Sequence, residues 1–371
     1  MSDPVIPWFE RHLGPDAVPA LPALRQKAAQ VPHEVAIRLK RRGVWHTTTW
    51  ERLAMLTQAA LAGWAHAGLQ PGQTLVVVGA LGVEVIASLY AAQALGAQIE
   101  VAQSDVQADL IRRARYVLAG DAHDLAWVWR HRGQALTWLV VADEEALTGV
   151  LQLNDGHLVS LAQLLQLGLS SERSVADLAQ AGSFAFRIWG TTLALAHQLH
   201  VALPHDLGAR PDRRVVEQAV LADFALTWWP GVEWLLQHWL ASQATLWIAE
   251  AQGHQDKDRR EARADVWLTS SAAVRQWLAA VDERTPARGL ARWAVRRVLS
   301  GRRDALTVLL RLKLRASLGI EGLGRVITDQ GLPAPEQARL QTLGVSTSWR
   351  TPTEAPSAPQ VAPLVLAGGL S

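Results

Sequence analysis

The sequence predicts an α/β protein made of two packed βαβ-type halves, and three observations carry that reading. The apolar run Thr74 to Val78 follows the turn signal Pro71-Gly72, and a helical stretch then separates it from a second short run, Gln98 to Ala102. Strands alternating with helices of this length form a parallel sheet covered on both faces. A second block of the same character runs from Val215 to about Val345, with apolar strands at Ala244 to Ala249 and Val266 to Thr269. Finally, the most apolar stretch, 74–102, is interrupted by Gly79, Gly82, Glu84, Gly96 and Glu100. That punctuation fits a buried strand-helix-strand unit and not a membrane span.

Taken in order, the chain predicts a helix from Leu24 to Ala29, a strand from Val35 to Leu39, the turn Arg41-Arg42-Gly43 and a strand from Trp45 to Trp50. A helix from Glu51 to Ala67 places Leu53, Leu56, Ala60, Leu61 and Trp64 on one face and ends at Gly68. After the strand at 74–78 come a helix from Val83 to Leu95, the strand 98–102 and a helix from Val106 to Leu118. Candidate strands follow at Leu136 to Val141 and Ser183 to Ile188, with a helix from Ser160 to Leu167 and a helical stretch after Leu193. The boundaries expected are an N-terminal extension over 1–20, a first α/β subdomain over 21–205 and a second over 206–350. The proline-rich tail over 351–371 reads as disordered.

Composition excludes several functions. The chain has no cysteine, which rules out disulfides, thiolate zinc sites, iron–sulfur clusters and a cysteine nucleophile. Lys+Arg 36 against Asp+Glu 34 is not the balance of a nucleic-acid-binding protein, so no nucleic-acid partner is expected. Met1 to His12 lacks a basic segment followed by an apolar one, and the expected location is cytoplasmic. The strongly cationic segment is 284–315, with ten basic residues and one acidic residue, Asp304, interleaved with Leu290, Trp293, Leu306 and Leu309. It reads either as a solvated helix face or as an interfacial element that meets anionic lipid or an acidic partner.

His197, His200 and His205 with Asp206 lack a recognisable third metal ligand and read as ordinary polar residues. The sequence contains no His-Glu-x-x-His, no Gly-x-Ser-x-Gly elbow and no intact phosphate-loop motif of the Walker type.

The stretch ALRQKAAQVPHEVAI, then VWHTTTWERL, then AGLQPGQTLVVVGALGVEVIASLYAAQALGA, resembles the adenylate-forming (AMP-binding) superfamily. The likeness is strongest to the N-terminal domain of bacterial long-chain acyl-CoA synthetases. Further anchors are TWWPGVEW (Thr227 to Trp234) and LWIAE (Leu246 to Glu250), and Glu84 matches the glutamate of the family's Asn-x-x-Glu-Trp segment. The resemblance implies two packed α/β subdomains without the C-terminal lid, since the sequence stops at Ser371 and has no lysine after Lys313. It also implies Mg-ATP as cofactor if the nucleotide site is retained.

The family's Gly-rich phosphate loop corresponds to Trp189 to His197. Gly190, Thr191 and Thr192 remain, while a glycine, the proline and the lysine are replaced by Leu193, Leu195 and Ala196. A Gly-Thr-Thr triplet is otherwise an ordinary turn or helix cap. The Gly-Gly-Ala segment corresponds to Asp329-Gln330-Gly331, and the aromatic stacking motif to Arg350 through Glu354, where only Thr353 and the magnesium-ligand position Glu354 match. The expectation is therefore a degenerate acyl-CoA synthetase-like domain, a pseudoenzyme with a protein partner in fatty-acid metabolism. The alternatives are a working long-chain fatty acid–CoA ligase and a ligand sensor.

Overall fold

In the computed structural model, the apolar runs between glycine and proline breaks become short strands and the 3.6-period stretches become helices. The structure describes residues 18–103, 105–147, 158–170, 185–188, 191–194, 200–201, 219–240, 242, 244–250, 255–284, 289–300 and 304–349. The terminal extension 1–17 and the tail 351–371 lie outside them.

Strand β1 (Val18–Pro19) and helix α1 (Ala20–Gln30) precede a hairpin of β2 (Val35–Arg41) and β3 (Val44–Thr49). Arg42 and Gly43 at its tip have φ of 50° and 75°, the pair of left-handed residues that a tight two-residue hairpin turn requires. Thr49 caps helix α2 (Trp50–His66), which buries Leu53, Ala60, Leu61 and Trp64 as its spacing predicts. Next come β4 (Thr74–Val78), α3 (Val83–Ala94), β5 (Gln98–Ala102), α4 (Ala108–Arg113), β6 (Tyr116–Ala119), α5 (Ala122–His131) and β7 (Trp138–Val141). Then follow β8 (Leu158–Ser160), α6 (Leu161–Leu169), β9 (Ala185–Ile188), β10 (Thr191–Ala194) and β11 (His200–Val201).

The second block contains β12 (Ala219–Asp223), α7 (Trp229–Trp234) continued by a π turn to Trp239, β13 (Thr245–Ile248), α8 (Gln255–Ala262) and β14 (Val266–Thr269). It ends with α9 (Ser271–Arg284), α10 (Leu290–Leu299), α11 (Ala305–Leu318), β15 (Arg325–Thr328), α12 (Ala334–Thr342) and β16 (Ser346–Trp349).

Two seven-stranded sheets result, in the orders β10-β9-β5-β4-β6-β7-β8 and β16-β15-β14-β12-β13-β2-β3. Within these two sheets the pairings are parallel except the edge pairs β9–β10 and β2–β3, and β1 pairs separately with β11, antiparallel. Alternate side chains of one strand feed different cores. Leu75 and Val77 join the central cluster, whereas Val76 and Val78 join the cluster under α4 and α5. In the second sheet Val220 and Ala222 face the central cluster, and Ala219 and Leu221 face the outer helices. This period-2 alternation makes five layers, helices covering the outer face of each sheet and α1, α2, α3 and α7 filling the space between.

Three sequence expectations change. The helix expected over 106–118 ends at Arg113, because Ala114 is extended and Tyr116–Ala119 pairs with both β4 and β7. The helical stretch expected after Leu193 begins as strand at Ala194, and 195–199 lie outside the described residues. The hairpin 35–49, read as part of the first subdomain, hydrogen-bonds through β2 to β13 and completes the second sheet.

The central layer holds several tightly specified contacts. Gly63 of α2 and Gly168 of α6 meet backbone to backbone, and a Cβ on Gly168 would lie 2.3 Å from Gly63 N. Lys27 is buried against Trp50, its ammonium 3.9 Å from the ring centroid, and donates to the carbonyls of Leu240 (3.1 Å) and Ser242. Trp50 in turn stacks on Trp239 at 4.9 Å. On the outer face of the second sheet, the buried Lys40 donates to Asp258 (2.5 Å) and Glu261 (2.7 Å). Burial opposes its charge, but the two carboxylates outweigh that and hold its pKa above the ordinary lysine value.

Candidate functional site

Open parallel sheets bind ligands outside the carboxyl ends of their strands, where the chain order reverses. In the second sheet that point is β12, flanked by β13 on one side and β14 on the other. Helix α9 starts directly after β14 and aims its N-terminus, the positive end of its dipole, at this edge. The edge is already occupied by the protein's own carboxylate, since Asp329, just past β15, accepts the backbone N–H of Ser271 at 2.6 Å. Ser270 Oγ accepts from Ala273 N at 3.1 Å, so the first turn of α9 has two internal acceptors.

The loop bearing Asp329 is held in place. Thr328 Oγ1 donates to the Gln330 carbonyl at 2.7 Å, and the indole of Trp349 packs over Gly331, where an added Cβ would lie 3.6 Å from the ring. Trp349 is 52% exposed, leaving an aromatic surface beside Asp329 at the end of β16. Thr269 at the end of β14 is buried, with a hydroxyl that has no hydrogen-bond partner among the described residues.

The first sheet reverses its order at β4, between β5 and β6. Here too a carboxylate fills the crevice. Asp124 caps α5 reciprocally with Asp121, and its Oδ2 lies where a Cβ on Gly79 or Gly120 would approach to 2.5 or 2.7 Å. Burial, reinforced by the Asp121 charge, pushes Asp124 up to about 6.

Two acidic residues that resemble family positions contact the β2–β3 hairpin, one of them from across the two halves. Glu84 in the first turn of α3 pairs with Arg41 of β2 at 3.0 Å, linking the sheets. Glu250 accepts the N–H groups of Arg42 (2.7 Å) and Gly43 (2.9 Å), capping the hairpin tip, and Glu145 pairs with Arg42.

Of the sequence-predicted site residues, Gly190, Thr353 and Glu354 lie outside the described residues, as do His197, His205 and Asp206. Thr191 and Thr192 lie in β10, the edge strand of the first sheet, opposite Ile188 and Arg187 of β9. His200 lies in β11 opposite Pro19. Among the described residues no group of three His, Asp or Glu side chains is placed to hold a metal ion. Sequence reasoning singled out Asp329 but not its partner Ser271. It passed over Trp349, whose only signal was a lone aromatic ending the polar strand Ser-Thr-Ser-Trp.

The described residues at this edge do not fit a triphosphate, because Asp329 puts negative charge on the helix terminus that would otherwise attract one.

No protein-family model and no curated protein matches this sequence. Solved structures do match in fold. The adenylation domain of carboxylic acid reductase from Segniliparus rugosus, in complex with AMP and a co-purified carboxylic acid, aligns with a TM-score of 0.65 and 13% identity over 94% of this chain and 62% of that one. The N-terminal domain of FACL13 from Mycobacterium tuberculosis aligns at 0.61 and 13%, over 91% of this chain and 76% of that one. A fatty acyl CoA synthetase of Mycobacterium tuberculosis gives 0.57 and 13%, over 89% and 58%. The fold is thus that of the N-terminal portion of adenylate-forming domains. The chain spans 62% and 59% of the first two structures it matches.

Proposed function

We propose that this chain is an acyl-CoA synthetase-like domain that does not adenylate, and that it acts in fatty-acid metabolism by binding a protein partner. The observation that carries the reading is the Asp329–Ser271 contact. A helix N-terminus at a switch-point crevice is the natural place for an anion, and here a carboxylate of the chain itself satisfies it. The substitutions in the sequence after Gly190 support the same reading. Leu193 and Leu195 stand where the resemblance implies a glycine and a proline, and Ala196 stands where it implies a lysine. Phosphoryl-type transfer depends on positioned donors and charge, and removing one such donor typically costs about 100- to 1,000-fold in rate.

Trp349 favours a second reading. An exposed indole lying on a glycine backbone beside the crevice is a platform for a planar ring, and it supports a sensor that holds an acyl or nucleotide ligand without turnover. A working fatty acid–CoA ligase would need another cation to offset Asp329.

The two classes separate in one assay. Purified protein supplied with Mg-ATP, a long-chain fatty acid and CoA is expected to form no acyl-CoA. Turnover abolished by Glu354→Ala would establish the ligase reading.

A further inference from the structure

The cationic segment forms two helices, α10 and α11, that pack on each other and on the outer core of the second sheet through Val298, Leu310, Leu314 and Leu318. Their opposite side is also apolar. Six of the nine large apolar side chains that stand exposed among the described residues are here: Leu290, Trp293, Leu306, Val308, Leu309 and Leu312. Leu290 is 84% exposed, Leu309 59% and Leu312 58%. In α11 the outward residues Ala305, Leu309, Leu312 and Ala316 follow helical spacing along one stripe, while Leu310, Leu314 and Leu318 line the other side. A helix apolar on two sides calls for two apolar neighbours, and the described residues supply one.

The charge around this stripe identifies the second neighbour. Arg296 and Lys313 are exposed and, with Arg311, make no ion pair among the described residues. The segment's single acid, Asp304, is used internally. It caps α11 through the N–H of Thr307 at 2.9 Å and pairs with Arg297 at 3.0 Å, contacts that hold it down at about 2. Arg315 turns inward to the carbonyls of Leu343 (2.8 Å) and Leu323 (2.7 Å). Arg297 lies over the Trp293 ring at 5.4 Å, bringing cation and indole together at the edge of the apolar patch.

We propose that the α10–α11 hairpin docks on an anionic lipid surface, with Leu309 and Leu312 entering the acyl boundary, Trp293 at the interface and Arg296 and Lys313 over the headgroups. Apolar side chains bordered by tryptophan and by cations that make no ion pair among the described residues match the three layers that such a surface presents. A second copy of the chain does not match, because two like-charged faces repel. Docking through this hairpin does not depend on the α9 terminus.

Sedimentation of the full chain with vesicles tests it. With about 30 mol % phosphatidylglycerol at low salt the protein is expected to pellet, and binding should fall steeply as salt rises toward the physiological range. Pure phosphatidylcholine should bind at least about tenfold less. Leu309→Gln with Leu312→Gln, at exposed positions that leave the fold intact, should weaken binding to anionic vesicles at least about tenfold, and Lys313→Ala about fivefold. The proposal is overturned by absence of binding at low salt, by equal binding to neutral vesicles, or by Gln variants that bind like the wild type. It is equally overturned if an acidic polypeptide binds the hairpin and anionic vesicles do not.

Discussion

The carboxylate of Asp329 and the backbone N–H of Ser271, 58 residues apart in sequence, meet at 2.6 Å and close the N-terminus of α9. Asp329→Gly leaves that N–H without its charged acceptor. Loss of such a cap costs about 1 kcal/mol, so the thermal midpoint should drop by a few degrees. Affinity for pyrophosphate, measured by titration calorimetry, should rise about tenfold as the positive helix end opens. Unchanged affinity would mean that this terminus is not an anion site.

Lys40→Met leaves Asp258, fully buried, facing an apolar side chain. Removing one partner of a buried ion pair costs about 3–5 kcal/mol because the other charge stays uncompensated. Urea unfolding should register that loss, and adding Asp258→Leu should recover a substantial part of it. A double variant no more stable than the single one would contradict this account.

Burial drives Lys27 down to about 7, only partly offset by the nearby Glu34 charge. The folded protein therefore releases this proton well below the ordinary lysine value of 10.5, at which the unfolded chain titrates. Between those two values the unfolded state binds more protons, so this group makes stability rise with pH from about 7 upward and leaves it flat below. Chemical denaturation across that range should show wild-type stability climbing relative to Lys27→Met, by up to about 1.4 kcal/mol per pH unit. Parallel curves would count against the assignment.

Gly168→Ala inserts a methyl 2.3 Å from Gly63 N and 2.7 Å from the Ala62 carbonyl carbon, backbone atoms that cannot step aside. The helix-propensity gain of about 1 kcal/mol is outweighed by separation of α2 from α6, for a net loss of about 1–3 kcal/mol in unfolding free energy. A stabilised variant would show that the two helices are free to move apart.

Local pattern in the sequence locates most elements of the first sheet. Thr74–Val78, Gln98–Ala102 and, in the second sheet, Val266–Thr269 are bounded by turn residues and appear with the expected ends. Tyr116–Ala119 was obscured because Ala114 and Leu118 continue the helical spacing of Ala108 and Ile111, and four apolar residues fit either period. Partners are harder to read than elements. Nothing local to 35–49 says that its neighbour is β13, and Asp329 is recognisable as an odd residue at a glycine position without disclosing that Ser271 receives it. Glu84 and Glu250 illustrate the converse, since residues matching a family pattern prove to hold a hairpin against its surroundings.

The most direct test of the central claim is calorimetric titration of the wild-type chain with Mg-ATP and, separately, with a non-hydrolysable acyl-adenylate analogue. The closed α9 terminus and the alanine at position 196 predict no heat of binding for Mg-ATP up to millimolar concentration. Saturable Mg-ATP binding in the micromolar range would contradict the account, because a triphosphate would then be held at an edge where the protein places its own carboxylate.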